Sequence, residues 1–151
     1  MKPQISVSDS ITLVTLQNAP ADMDFIATIF EKIAEKSVDV NMVSLSPVQG
    51  ATTSVSFTIN DDDLITILSY TSSLKSSKIK PIVSSGNSII SIFDENMEDT
   101  PGIAAKILRA VAGVNTDIRI VTTSEVQISL LVTDAAYEKA YVAIEKCLNA
   151  E

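Results

Sequence analysis

Apolar side chains recur along the chain with two different periods. A helical period marks one apolar face of a predicted helix, formed by Ile26, Ile29, Phe30, Ile33 and Ala34. On both sides of this helix the sequence alternates and is rich in β-branched residues. That pattern predicts strands at residues 11–17, 38–45 and 53–59.

The same half of the chain continues with a second helix and a fourth strand. A turn containing Pro47 and Gly50 joins the second and third strands. The acidic triplet Asp61–Asp63 then precedes an apolar helical stretch, and negative charge is favourable at a helix N-terminus. Residues 78–84 supply the last strand, so the predicted order is βαββαβ.

The second half repeats this order without its last strand. Its predicted elements are a strand at 88–93, a helix opening at Thr100-Pro101, strands at 116–122 and 125–132, and a final helix with Tyr137, Ala140, Tyr141, Ile144 and Leu148 on its apolar face. The missing strand could come from residues 4–8, which would nest the first module inside the second. Alternatively, residues 4–8 form a frayed end.

An internal match without gaps supports the repeat. Residues 23–45 align with residues 101–123 at a constant offset of 78, which pairs Ile29 with Ile107 and Asp39 with Asp117. Shared amphipathicity could produce part of this match, but we interpret it as a duplication.

The predicted fold is therefore α+β and consists of two ferredoxin-like βαββαβ modules. Each module is an antiparallel sheet with helices on one face. The first spans residues 9–85, and the second spans residues 86–151 and is completed by a strand from residues 3–8.

Composition and charge exclude several classes of function. The net charge of −8 disfavours nucleic acid and anionic membranes as partners. No apolar run approaches the roughly 20 residues that a membrane span needs. The chain has no His, and its 4 Gly form neither a dinucleotide-binding nor a phosphate-binding motif. The chain has no apolar signal sequence and a single cysteine, Cys147, so it is expected to be cytoplasmic. Because it has no His and no nucleotide-binding glycine motif, we expect no cofactor and no metal.

Four short segments resemble a known family. Residues 122–132, TTSEVQISLLV, resemble a strand–turn–strand signature of aspartokinase regulatory domains, and residues 97–105, MEDTPGIAA, resemble the loop and helix start of that family. Residues 38–43, VDVNMV, and 52–58, TTSVSFT, resemble two strands of the preceding module. The chain is thus similar to an aspartokinase regulatory region, a tandem of ACT domains, without the kinase domain.

The resemblance implies an allosteric function. In that family, paired ACT modules bind an end product of the aspartate pathway, lysine or threonine, and regulate a kinase domain that phosphorylates aspartate with ATP. Some bacteria make the regulatory half as a separate small subunit. We therefore expect a chain that is not catalytic on its own, binds an amino-acid effector, and acts on an aspartokinase catalytic domain or subunit. A homodimer formed through sheet edges is also expected.

The resemblance places an effector site in the second half of the chain. The N–H groups at the start of the predicted helix attract a carboxylate, and Gly102 has no Cβ to hinder a ligand. The expected effector-binding residues are Met97, Asp99, Thr100, Gly102, Ile103, Ala104, Asp117, Ile118, Arg119, Thr123, Ser124 and Glu125. From spacing alone, Pro101-Gly102 could simply start a helix, and residues 122–124 could form a tight strand connection.

Arg119 affects which effector is expected. The family often has Asp or Glu here, facing the side-chain ammonium of lysine, which a guanidinium would repel. If Arg119 faces the pocket, an acidic or neutral ligand is favoured. Strand alternation places it on the face of Asp117 and Val121, which could instead be a solvated face.

The corresponding loop of the first half departs from the family pattern. Asp24 stands where the family has glycine, and it adds negative charge where a carboxylate would dock, although it could instead cap the helix. Asn41 stands where Asp is usual. We predict a degenerate first site at Asp22, Asp24, Phe25, Ile26 and Asn41.

Other functional classes are open alternatives. The ACT pair could have lost its ligand and serve as an assembly or dimerisation module, or it could be a stand-alone metabolite sensor acting on another partner. An enzyme on the same scaffold is disfavoured, because the chain has no His and no convergent group of carboxylates.

Overall fold

The computed structural model of the chain describes residues 3–74 and 78–149 and has a mixed α+β fold, as predicted. The strands are β1 Gln4–Pro20, β2 Val43–Leu45, β3 Thr52–Asn60, β4 Lys80–Phe93, β5 Ile118–Thr123 and β6 Gln127–Thr133. The α-helices are α1 Met23–Glu35, α2 Leu64–Ser72, α3 Ile103–Ala112 and α4 Asp134–Asn149. Short 3-10 turns at Asp61–Asp63 and Glu95–Met97 precede α2 and follow β4. Residues 75–77, 150 and 151 of the predicted modules lie outside the described part.

Two compact units divide the chain. Ser10–Ser85 form a contiguous unit, whereas Met1–Asp9 join Gly86–Glu151 in a discontinuous unit. Strands β1 and β4 both cross this boundary, so each contributes one part to each unit. Among the described helices, none is long and apolar enough to cross a membrane.

The contiguous unit has the strand order β2-β3-β1-β4, in which β3 pairs antiparallel with both β1 and β2. Alternation along the strands directs Leu16 and Phe57 to one face of the sheet. Helices α1 and α2 cover that face with the buried side chains of Ile29, Ile33 and Ile67. Burying one such side chain contributes about 1.5–3 kcal/mol, so this layer defines the position of both helices.

The discontinuous unit has the corresponding order β5-β6-β4-β1, with β6 antiparallel to β4 and β5. Its core contains Ile92 and Leu130 from the sheet, Ile107 from α3 and Ile144 from α4. Ile5, from the N-terminal part of β1, packs against this core. Residues 4–9 are therefore ordered in a strand, and the frayed alternative is wrong.

Pairs of hydroxyl groups occupy equivalent positions in the two units. Thr15 of β1 and Ser56 of β3 face each other with their hydroxyl oxygens 3.1 Å apart. Ser91 of β4 and Ser129 of β6 do the same at 2.8 Å. The two units thus share a detail of cross-strand pairing as well as their strand order.

Several predicted strand boundaries are wrong. Residues 4–8 and 11–17 belong to the single strand β1, and residues 78–84 and 88–93 overlap the single strand β4. Left-handed backbone occurs between these segments, at Ser10 with φ 57° and Gly86 with φ 77°. A single residue of this kind distorts a strand without ending it.

The predicted strand at 38–45 is shorter in the structure, where only Val43–Leu45 is a strand. The Thr58 Oγ1 atom accepts a hydrogen bond from the Met42 N–H at 2.9 Å. The Thr58 N–H still donates to the Met42 carbonyl at 3.0 Å, so the backbone pairing continues irregularly and the regular strand begins only at Val43.

Candidate amino-acid-binding site

A pocket of about 330 Å³ opens beside the start of α3 in the discontinuous unit. The loop after β4 and the first turn of α3 form one wall, and the β5–β6 hairpin forms the other. The lining residues are Met97, Glu98, Thr100, Pro101, Gly102, Ile103, Ala104, Thr123, Ser124 and Glu125.

Gly102 defines the first wall. Its φ of 91° is left-handed, so α3 begins at Ile103 rather than at the predicted Thr100-Pro101. The Gly102 carbonyl accepts the Lys106 N–H at 2.9 Å, which closes the first helical turn. N–H groups in a first turn have no partner within their own helix, so those of Ile103 and Ala104 are suited to an anion.

The β5–β6 hairpin defines the second wall. Ser124 donates its N–H to the Gln127 carbonyl at 2.8 Å, which closes the turn. The side chains of Thr123, Ser124 and Glu125 are exposed at the pocket. The wall offers two hydroxyl groups and a carboxylate, which are acceptors for an ammonium group.

The charges in the pocket are unevenly distributed. Glu98 and Glu125 contribute two exposed carboxylates, and none of the described residues that line the pocket is Lys or Arg. Only the start of α3 contributes partial positive charge. In the described part of the chain, no group of three His, Cys, Asp or Glu side chains could hold a metal ion.

Eight of the twelve predicted effector-binding residues line this one pocket. The prediction missed Glu98 and Pro101, although both lie inside the MEDTPGIAA segment that suggested the site. Asp99 is exposed in the same loop but does not line the pocket. That these residues bind an effector stays a prediction.

The other three predicted residues lie on or before β5, outside the pocket lining. Arg119 forms an exposed ion pair with Asp117, with Nη2 and Oδ2 3.2 Å apart. Ile118 packs against the core. The pairing of β5 with β6 shifts between Ile118 and Ile120, so Arg119 lies at an irregularity that simple alternation does not anticipate.

Four of the five residues of the predicted first site, Asp22, Asp24, Phe25 and Ile26, lie at the start of α1, and Asn41 lies beside β3. Asp22, not Asp24, is the N-cap, and its Oδ1 accepts the Asp24 N–H at 3.0 Å. Phe25 and Ile26 pack against the core of the contiguous unit. The exposed Asn41 donates its backbone N–H to the Thr58 carbonyl at 3.0 Å.

Comparison with known proteins agrees with this architecture. Residues 90–148 match the family model of the ACT domain. The aspartokinase of Bacillus sp. (strain MGA3) is 28% identical over 147 residues, which cover 96% of this chain and 36% of that protein. The chain spans about a third of the length of the curated aspartokinases that it matches.

Solved structures share the fold. The ligand-free regulatory subunit of aspartate kinase from Thermus thermophilus superposes with a TM-score of 0.86 at 22% identity, covering 95% of both chains. Aspartate kinase from Synechocystis superposes with a TM-score of 0.88 at 25% identity, covering 95% of this chain and 26% of that one. The predicted resemblance is therefore confirmed: residues 90–148 match the ACT domain, and the chain is similar along its length to aspartokinases and to their regulatory subunits.

Proposed function

We propose that the chain is an allosteric regulatory module of an aspartokinase, built from two ACT modules, that binds an amino acid in the pocket beside α3. The observation that carries the proposal is the pairing of a helix start with a wall of hydroxyl and carboxylate groups. An amino acid has both a carboxylate and an ammonium, and the two walls offer one partner for each.

The proposed binding mode follows from the chemistry of the walls. The ligand carboxylate meets the N–H groups at Ile103 and Ala104, and Gly102 leaves room, because a Cβ built there meets no atom within 4 Å. The ligand ammonium meets Thr123, Ser124 or Glu125. The result of binding is transmitted to an aspartokinase catalytic domain or subunit.

The two carboxylates in the lining favour lysine over threonine as the effector. Lysine has a second ammonium that Glu98 or Glu125 could accept, whereas threonine has only a hydroxyl group. Arg119, which would repel lysine from inside the pocket, is paired with Asp117 outside the lining. Because both glutamates are exposed, we expect a preference of about tenfold or less.

The tandem arrangement is part of the proposal. The strand orders and hydroxyl pairs support two ACT modules, at residues 9–85 and 86–151, with residues 3–8 completing the second. In the first module Asp24 adds negative charge to the start of α1, so we propose that this site is degenerate. A cytoplasmic homodimer is the proposed assembly.

Isothermal titration of the chain with L-lysine and L-threonine tests the proposal. We expect binding with about one site per chain and tighter binding of L-lysine. Glu125→Gln should weaken L-lysine binding by about threefold to tenfold and weaken L-threonine binding less, because only lysine has a second ammonium. Glu138→Gln, at an exposed position of α4 outside the lining, is the matched control.

Two results would contradict the proposal. Absence of binding to all twenty amino acids, with dimerisation unchanged by them, would favour the ligand-free assembly module. An unchanged activity of an aspartokinase catalytic chain, mixed with the module and L-lysine or L-threonine, would favour a sensor that acts on another partner.

A further inference from the structure

We propose that Asp94 is the positioning residue of the amino-acid pocket, because it ties the two walls of that pocket to each other. This inference rests on the proposed function and names a residue outside the pocket lining. Asp94 directly follows β4, and the residue is only 7% exposed although it carries a carboxylate. A buried carboxylate needs a hydrogen-bond partner, and that of Asp94 caps the turn of the first wall, while the backbone N–H of the same residue reaches the second wall.

Asp94 makes two bonds to the first wall. Its Oδ1 accepts the Asn96 N–H at 2.9 Å, and its carbonyl accepts the Met97 N–H at 3.0 Å. These bonds shape the 3-10 turn Glu95–Met97. Met97 and the next residue, Glu98, line the pocket, so the turn determines where that wall begins.

A third bond leads to the second wall. The Asp94 N–H donates to the Val126 carbonyl at 2.8 Å. Val126 lies between the pocket residue Glu125 and the start of β6. Asp94 thus connects the turn that begins the first wall with the hairpin that forms the second. A movement of either wall would therefore distort the hydrogen bonds that Asp94 makes to the other wall.

The contiguous unit has the backbone bond without the carboxylate. There Ala21 follows β1, and its N–H donates to the Ala51 carbonyl of the β2–β3 connection at 3.0 Å. In this unit the capping carboxylate belongs to the next residue, the exposed Asp22, which caps α1 directly. At the pocket, a single buried residue, Asp94, both bonds to the neighbouring hairpin through its N–H and caps a turn through its carboxylate. At the start of α1, these two functions belong to two different residues, Ala21 and Asp22.

Hydrogen exchange of the ligand-free chain tests the link between the walls. Asp94→Ala removes the cap, and we expect faster exchange both at residues 95–98 and at residues 124–126. Asp94→Asn keeps an acceptor oxygen and should restore the rates in both segments. Asp134→Ala, which removes a carboxylate from the start of α4 away from the pocket, is the control and should leave both segments unchanged.

Titration with L-lysine and L-threonine tests the consequence for binding. Asp94→Ala should weaken the affinity of whichever amino acid binds by about tenfold, with Asp94→Asn within about threefold of the original chain. Asp134→Ala should lower the melting temperature and keep the affinity. If Asp94→Ala does not fold, Asp94→Ser, which keeps a capping oxygen, should bind better than Asp94→Glu, whose longer side chain misplaces it.

The outcomes separate the two proposals. If the original chain binds neither amino acid, the proposed function is overturned, and the exchange experiment still decides whether Asp94 joins the walls. Exchange that rises only at residues 95–98 overturns the link. Equal affinities of Asp94→Ala and the original chain, or equal losses in Asp94→Ala and Asp134→Ala, overturn the positioning role.

Discussion

Ser88 donates a hydrogen bond from its Oγ to Oδ1 of Asp134 at 3.0 Å. Ser88 is buried on β4, and Asp134 is the first residue of α4, so the bond fastens a strand to the start of a helix. Thr12 and Asp61 form the same kind of bond at 2.5 Å in the contiguous unit, from β1 to the turn before α2. The two units therefore share a polar contact as well as their strand order.

Removing the Ser88 hydroxyl should destabilise the chain. We expect Ser88→Ala to lower the free energy of unfolding by about 1 kcal/mol, because a buried donor to a carboxylate is lost. Urea unfolding of Ser88→Ala, Asp134→Ala and the double variant measures this in a mutant cycle. Strictly additive losses would contradict a direct interaction between the two side chains.

The glycines at the two ends of α3 should respond in opposite directions. Gly102→Ala should cost about 1 kcal/mol of stability, because its φ of 91° is unfavourable for any residue with a Cβ even though the space is open. Gly113 has right-handed backbone with φ −67°, and a Cβ there would make ordinary contacts of 3.5 Å. Gly113→Ala should therefore be neutral or stabilising by less than about 1 kcal/mol in the same thermal unfolding experiment. Equal losses for both variants would contradict the backbone argument.

Tyr70 should make stability fall at alkaline pH. Burial, and then the nearby charge of Glu35, raise the pKa of the Tyr70 phenol above its ordinary value of 10.0. In the unfolded chain the phenol ionises first, so the unfolded state binds fewer protons between the two pKa values. The free energy of unfolding therefore declines as the pH rises above about 10.

Two variants isolate this contribution of Tyr70. Tyr70→Phe should show a smaller decline between about pH 9 and about pH 11, measured by urea unfolding. Glu35→Gln should move the Tyr70 pKa back toward 10.0 in a titration of tyrosinate absorbance. An identical pH profile for Tyr70→Phe and the original chain would count against the assignment.

Arg119 should contribute little to binding or stability. Its ion pair with Asp117 is exposed on both sides, and such pairs contribute less than about 1 kcal/mol. We expect Arg119→Ala to leave the affinity for L-lysine within about twofold of its original value by isothermal titration. A large gain in L-lysine affinity would indicate that the guanidinium does act on the pocket.

Much of the fold follows from periodicity. The helical spacing selects the centres of the buried faces of α1 and α3, where two pairs at an offset of 78, Ile29 with Ile107 and Ile33 with Val111, are buried, although Ala34 at the edge of the predicted face is exposed. The spacing of apolar residues along a helix places them on one face, and that face packs against the sheet. The buried side of a helix can therefore be predicted from a single sequence.

Single backbone angles and long-range bonds were not predictable in the same way. A glycine such as Gly86 is typical of a turn, and only its neighbours in the sheet determine that the strand continues. The bond from Asp94 to Val126 joins residues that no periodic pattern relates. Most of the pocket could be located because its two walls correspond to two recognisable motifs, whereas the residue that connects them belongs to neither.

The nested order of the two units has a consequence for synthesis. A ribosome releases all of Ser10–Ser85 before the partners of Met1–Asp9 have been made. Once the contiguous unit has folded, its two ends are neighbours, because the hydroxyl oxygens of Thr12 and Ser85 are 3.0 Å apart. The entropic cost of bringing residue 9 close to residue 86 has then already been met by the folding of the residues between them. Folding of the inner unit thus shortens the effective chain between the two segments of the outer unit, and vectorial translation delivers the inner unit before the second of those segments.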